Sequence, residues 1–197
     1  AAYSHPVLTE ILQIIYGIFY LLPIILVVTL VLNKRKIAFD FSVFILIYAF
    51  FLSYLGYFLL PAVGPRFTLH DFFMINEELP GLFFTNALRE FVNWGESIPY
   101  TVPNPQEVVQ RDVFPSGHTM ITLIVMYLSV RLKTKTKYFF LSVGTLLIFS
   151  TVYLRYHYVI DLIAGLLFMI TALYTGKLFY NWWSKIKGTV QFEYGKF

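Results

Sequence analysis

Cysteine is absent from the 197 residues, so disulfides and thiolate metal sites are excluded and the redox compartment leaves no trace. Charge is scarce as well, with Asp, Glu, Lys and Arg together making up 13% of the chain. No H-E-x-x-H or similar zinc spacing occurs, and no metal or cofactor is expected. Internal repeats and low-complexity segments are missing, so one domain accounts for residues 1–197. The net charge is only +4, and no nucleic-acid partner is expected. What fills the space is apolar: 58% hydrophobic and 20% aromatic residues, with a mean hydropathy of +0.68. That balance lies outside the range of soluble domains and describes an integral membrane protein. The expected fold class is all-α, a polytopic transmembrane helix bundle surrounded by membrane lipids.

Five apolar runs are long enough, or nearly so, for the ~20 residues that cross a bilayer. They cover roughly Val7 to Leu32, Phe41 to Leu60, Gly117 to Leu132, Tyr138 to Tyr153 and Val159 to Tyr180. The first is too long for a signal-peptide core and has no small-residue cleavage site. The sequence opens Ala1-Ala2-Tyr3 with no initiator Met, as expected of a chain that is processed, trimmed or incompletely represented at its N-terminus. Pro23 predicts a kink in the first run, and Pro61 to Arg66 ends the second. Phe67 to Phe114 is a long polar connection, a length that is usually functional or carries structure of its own. Within it, Phe84, Ala87, Leu88, Phe91 and Trp94 follow helical spacing, which predicts a short interfacial helix over Pro80 to Trp94. Arg89 and Glu90 are expected to face water, and Pro99 to Pro105 reads as irregular chain.

Basic residues divide unevenly between the two ends of these runs. Lys34, Arg35, Lys36, Arg131, Lys133, Lys135, Lys137, Lys177, Lys185, Lys187 and Lys196 lie on one side. The other side has only Arg66, Arg89, Arg111 and Arg155, among seven acids of the long connection. The positive-inside rule makes the first side cytoplasmic. Arg66, Ser116, His118, Arg155 and His157 then all reach the opposite face, the periplasm, exterior or organelle lumen.

Those residues carry the chemistry. Pro115-Ser116-Gly117-His118 opens the third run, with Ser116 placed to cap a helix and Gly117 leaving the first-turn N–H groups uncovered. A helix N-terminus of that kind binds anions, phosphate in particular. His118 stands beside it with a proton to give. His157 and Asp161 are four residues apart and share a helix face, so the carboxylate can hold one ring nitrogen of His157 and leave the other free. A carboxylate inside a span costs about 2.5 kcal/mol or more on insertion scales, which makes Asp161 functional by default over a merely structural ion pair. His118 alone would be an ordinary interfacial residue; after Pro-Ser-Gly it gains weight. Arg66 and Arg155 either snorkel or bind an anion, and their rarity on the outer side favours the anion. Arg111 and Asp112 are weighed equally as a mutual ion pair and as site residues. Glu10 is expected to be a wet residue at the outer end of its run in preference to a partner for a site arginine, and His5 and His70 have no supporting neighbours. The combined pattern points to phosphoryl chemistry without a metal.

These motifs resemble the type 2 phosphatidic acid phosphatase (PAP2) superfamily over roughly Pro61 to Ile170. Pro-Ser-Gly-His is intact at residues 115–118, and His157 and Asp161 match the family's His-x-x-x-Asp. The resemblance implies that His157 is the nucleophile of a phosphohistidine intermediate, that Asp161 orients it, and that His118 protonates the leaving oxygen. It assigns the phosphoryl oxygens to Arg66, Ser116, Gly117 and an arginine of the third motif, here Arg155. It also implies six spans, one more at the N-terminus than the five counted.

Two departures concern the cations. The family's first-motif Lys and Pro are replaced by Leu59 and Phe67, with Pro65 ahead of Arg66. The third-motif Arg position holds Thr151, with Arg155 two residues before His157 instead. Both changes are similar to the branch containing inositol phosphorylceramide synthase-like proteins.

The expected activity is therefore a membrane lipid phosphate phosphatase acting on a lipid phosphate or pyrophosphate. The alternative is a lipid phosphotransferase that moves a phosphoryl or phospho-head group to a hydroxyl acceptor. A non-catalytic lipid-binding or transport protein ranks below both, because the ionisable residues gather at one face and His118, His157 and Asp161 are all present.

Overall fold

The computed structural model describes residues 4–99 and 102–195. Ala1 to Tyr3, Tyr100 and Thr101 of the stretch expected to be irregular, and Lys196 of the basic side lie outside the described residues. The protein is an all-α helical bundle, and the described residues contain no strand beyond one isolated bridge between Ala62 and Asp112. Each expected run is helical. The first is α1 (Pro6–Gly17) and α2 (Leu21–Leu32), two halves bent by 54°. Pro23 explains the break: it has no N–H for the carbonyl of Phe19, and its ring collides with that carbonyl, so the helix cannot run through residues 18–20.

α3 (Lys36–Leu59) has 24 residues and is long and apolar enough to cross a membrane. Five short elements follow in the connection to α8: α4 (Pro65–Thr68), a 3₁₀ turn at Phe72–Met74, α5 (Ile75–Glu78), α6 (Thr85–Gly95) and α7 (Pro105–Val108). α8 (Gly117–Arg131) and α9 (Lys137–Tyr153) have 15 and 17 residues, and α10 (Val159–Ile186) has 28. By length and composition α3 and α10 qualify as spans, and the bent α1–α2 pair makes a third. The five expected runs are thus all helical, but among the described residues only these two or three are long and apolar enough to cross a membrane, while α8 and α9 fall short of the ~30 Å of a bilayer core at ~1.5 Å per residue.

The core is a seam of residues spaced one turn apart. Leu22, Leu26 and Leu30 of α2, Phe41, Ile45 and Ala49 of α3, and Met120, Ile124 and Leu128 of α8 are buried against one another. In lipid the hydrophobic effect does not drive such packing, so close approach at small residues must. Gly165 shows it: a Cβ there would lie 2.8 Å from the Ser116 carbonyl, so α10 touches the start of α8. The opposite helix faces carry exposed apolar side chains, such as Ile24 and Val28 of α2 and Phe51, Leu55 and Phe58 of α3, as a lipid-facing surface requires.

The long connection to α8 is tied down by buried charges that bond outside their own helices. Glu10 is not the wet residue expected. It is buried, and its carboxylate accepts from the backbone N–H groups of Leu82 (2.8 Å) and Phe84 (2.6 Å) and from the Thr85 hydroxyl (2.6 Å). α6 lacks a cap of its own, so Glu10 of α1 satisfies its first donors and faces its positive dipole end. α6 accordingly begins at Thr85, five residues later than expected. Arg89 is also buried rather than water-facing, donating to Asn76 Oδ1 (2.7 Å) and the Leu79 carbonyl (2.6 Å). Phe84, Phe91 and Trp94 remain exposed, so the helix keeps the unpartnered aromatic side suited to an interface. Replacing Glu10 with Ala strands those donors. We expect a loss of about 1–3 kcal/mol from the docking of this segment, read as faster proteolysis between residues 79 and 95. Unchanged proteolysis would contradict the capping role.

Candidate active site

Three backbone contacts bring the motifs together. The Ser116 N–H donates to the Asp161 carbonyl (3.1 Å), and the Arg66 N–H donates to the Arg155 carbonyl (3.1 Å). Gly64 packs so closely that a Cβ would sit 2.7 Å from the Tyr156 carbonyl. Side chain at residue 64 would therefore separate the first motif from the third.

α8 starts as its sequence predicts. Ser116 is buried and its Oγ accepts from the Thr119 N–H (3.2 Å), the N-cap bond expected of it. Gly117 and His118 follow in the first turn and line a cavity of about 340 Å³ shared with His157. The Tyr57 hydroxyl lies 2.6 Å from where a Cβ on Gly117 would be, so only glycine leaves room for it. α9 ends in a Schellman turn: the Tyr156 N–H reaches back to the Thr151 carbonyl and the Arg155 N–H to that of Val152. Arg155 takes the left-handed position with φ +65°, usually left to glycine. The turn aims His157 inward, where it is buried.

The rings of His118 and His157 lie 5.7 Å apart by centroids. His118 packs against Tyr16 (4.7 Å, stacked), near the end of α1, and Phe19 (4.3 Å), within the break that follows. Tyr16 also stacks on Tyr156 (4.3 Å), and the Arg66 guanidinium covers the Tyr156 ring at 4.8 Å. A column of flat groups thus links His118 to Arg66. Arg66 is buried and donates to Glu96 Oε2 (2.7 Å) and Asn93 Oδ1 (2.8 Å) of the α6 region.

Two expected contacts differ. Asp161 Oδ2 lies 3.6 Å from His157 Nδ1, longer than a hydrogen bond, and the same oxygen accepts from the Tyr158 N–H at 2.7 Å. Asp161 is the third residue of α10, so the helix's own unsatisfied donor competes with His157 for it. Nδ1 of His157 is buried without a partner in this arrangement. Arg155 is ion-paired with Glu78 of α5, which holds the Glu78 carboxyl below its usual range, and it does not line the cavity.

Sequence reasoning missed Tyr16, Phe19, Tyr57 and Glu96, all of which line this cavity. An aromatic or an acid in an apolar or polar stretch carries no mark of such a position. Of Arg111 and Asp112, no ion pair joins them among the described residues, and Asp112 lines the cavity. Its carboxyl is raised above the ordinary range, first by enclosure in the wall and second by the like charge of Glu96.

Chemically, the cavity offers two imidazoles within reach of one small group, a helix N-terminus, and a cation one residue layer away. No curated protein and no solved structure matches the chain. A family model described as the PAP2 superfamily matches residues 1–175, a wider stretch than the motifs alone cover. The members of that superfamily are phosphatases or phosphotransferases. With the match covering most of its length, this chain belongs to the PAP2 superfamily.

Proposed function

We propose that the protein is a membrane lipid phosphate phosphatase working through a phosphohistidine on the non-cytoplasmic face. The observation that supports it most is the pairing of His118 and His157 across one cavity at the start of α8. His157 Nε2 attacks phosphorus, and the bond from phosphorus to the lipid oxygen breaks. His118 gives that oxygen its proton, so the leaving group departs as an alcohol. Water then attacks the phosphohistidine, losing a proton to the now neutral His118. Inorganic phosphate leaves and His157 is restored. Asp161, 3.6 Å from Nδ1, favours the positive charge that His157 carries in the intermediate. Ser116, the Gly117 N–H and Arg66 bind the equatorial oxygens, where charge spreads in the transition state. Arg155 joins them only by leaving Glu78.

The test is phosphate release from a panel of lipid phosphates and pyrophosphates by purified protein, with and without an added hydroxyl acceptor. Release to water supports a phosphatase. Product formed only with the acceptor identifies a phosphotransferase instead. The reading uses no metal, so turnover should survive EDTA and be blocked by vanadate, which adopts the five-coordinate geometry of the transition state. Loss on chelation, restored by one divalent ion, would defeat it.

The outer placement is testable because no native cysteine interferes. The basic turns lie together at one end of the bundle, where Arg35 donates to the Leu132 carbonyl, while the α3 end packs near Pro115 at the other. A Cys at the exposed Glu107 should react with an impermeant thiol reagent in intact cells, and a Cys at the exposed Lys135 should not. The reverse labelling would invert the topology.

A further inference from the structure

Arg66 meets the cavity through Glu96. Its side chain is 3% exposed and that of Glu96 is 25% exposed. Rings cover its other sides, Phe67 at 4.6 Å and Tyr156 at 4.8 Å. Asn93 and Glu96, one turn apart at the end of α6, take both terminal nitrogens. Glu96 lines the same cavity as His118 and His157. A phosphate that approaches Arg66 from that cavity meets Glu96 first.

We propose that Glu96 is a specificity-determining residue, a carboxylate that a dianionic phosphate displaces from Arg66 and a monoanionic phosphodiester does not. The inference rests on the phosphatase reading and narrows its substrates to lipid phosphomonoesters and pyrophosphates. A phosphomonoester carries about −1.5 to −2 charges near pH 7 and has three free oxygens. A phosphodiester has one charge and two free oxygens. Exchanging a carboxylate for a diester swaps one charge for one and gains little. Exchanging it for a monoester adds a second charge beside a buried guanidinium, where the contact is strong. Diesters make up the bulk of a phospholipid bilayer, and an unguarded arginine would be filled by them. Glu96 instead keeps that competition inside the chain, where its effective concentration is high. Specificity here comes from a group that works against the wrong ligand. Donors that are phosphodiesters are excluded by the same device, which argues against head-group transfer from an ordinary phospholipid.

The experiment measures binding, so it does not depend on turnover. Phosphatidic acid and phosphatidylmethanol share their acyl chains and differ by one methyl group and one charge. Each is titrated in mixed micelles into the full-length His157→Ala protein, alone and combined with Glu96→Gln or Glu96→Asp. With Glu96 present, phosphatidic acid should bind at least about tenfold more tightly than phosphatidylmethanol. Glu96→Gln keeps the shape and a hydrogen bond to Arg66 but drops the charge. It should tighten phosphatidylmethanol by about tenfold and bring the ratio towards one. Glu96→Asp keeps the charge and should keep the preference. Equal binding of the two lipids with Glu96 present would overturn the proposal without recourse to a variant. A preference unchanged by Glu96→Gln would overturn it too, leaving Glu96 as a structural partner of Arg66. If phosphate release from phosphomonoesters is measured in the wild-type protein, either result defeats the specificity claim alone. Absence of both release and phosphatidic acid binding defeats the phosphatase reading with it.

Discussion

Phosphate release is expected to fall by about 10⁴-fold or more when His157 is replaced by Ala, with the protein still folded in detergent. His157 is a buried imidazole lining the cavity, and its loss removes the atom on which the intermediate forms. The neighbouring contacts are mostly backbone, from the Thr151 carbonyl to the Tyr156 and His157 N–H groups, so the turn survives the change. Asp161→Asn should be milder than His157→Ala. Its side chain still reaches the Tyr158 N–H, but the negative charge 3.6 Å from Nδ1 is gone. Near-normal release by His157→Ala would remove the nucleophile from the account and with it the two-step mechanism. Unfolding of that variant is excluded by an unchanged melting profile and elution volume.

His118→Ala carries the second large effect, and its size should depend on the leaving group. A general acid contributes about 10²–10⁴-fold where the departing oxygen needs a proton. A lipid alcohol is a poor leaving group, so the loss there should fill that range. Nitrophenolate leaves without help, so formation of the phosphohistidine from p-nitrophenyl phosphate should be nearly spared. The second step still needs a base for water, and it becomes limiting. Tyr16 and Phe19 pack against the His118 ring, so a small residue there leaves a gap but no new polar group. An equal loss in the rate of phosphohistidine formation from lipid and nitrophenyl esters would show that His118 supports the site's shape and does not deliver a proton.

Much of the scaffold was legible because its signals are local. Apolar runs give helices, Pro23 gives the bend four residues before it, and Pro-Ser-Gly-His gives a capped helix start with its own N-cap bond. The meeting of Ser116 with Asp161 and of Arg66 with Arg155 follows from motifs at matching ends of the helices. What stayed hidden depends on partners far away in the chain. Glu10 looks like a stray acid until the N–H groups of residues 82–85 are folded onto it. Arg89 looks solvent-facing on a helical wheel, yet Asn76 and Leu79 draw it inside. Tyr16 is one aromatic among many in the first run, and only the bend brings it onto His118. The four-residue spacing of His157 and Asp161 brings the two side chains near each other but carries no sign of the claim that the α10 N-terminus makes on the same carboxylate oxygen. Neither the rarity of arginine on its side nor its place in the third motif shows that Arg155 has Glu78 opposite it.

The most direct test of the account is to trap the intermediate on its residue. Protein is mixed with p-nitrophenyl phosphate labelled at phosphorus and quenched in alkali, which preserves phosphohistidine and destroys acyl phosphates. The label is then located by peptide mass. The account predicts label on His157 in the wild-type protein and more of it in His118→Ala, where formation outruns hydrolysis. His157→Ala should carry none. Label on another residue, or full turnover with no label on any protein that carries His157, would contradict it.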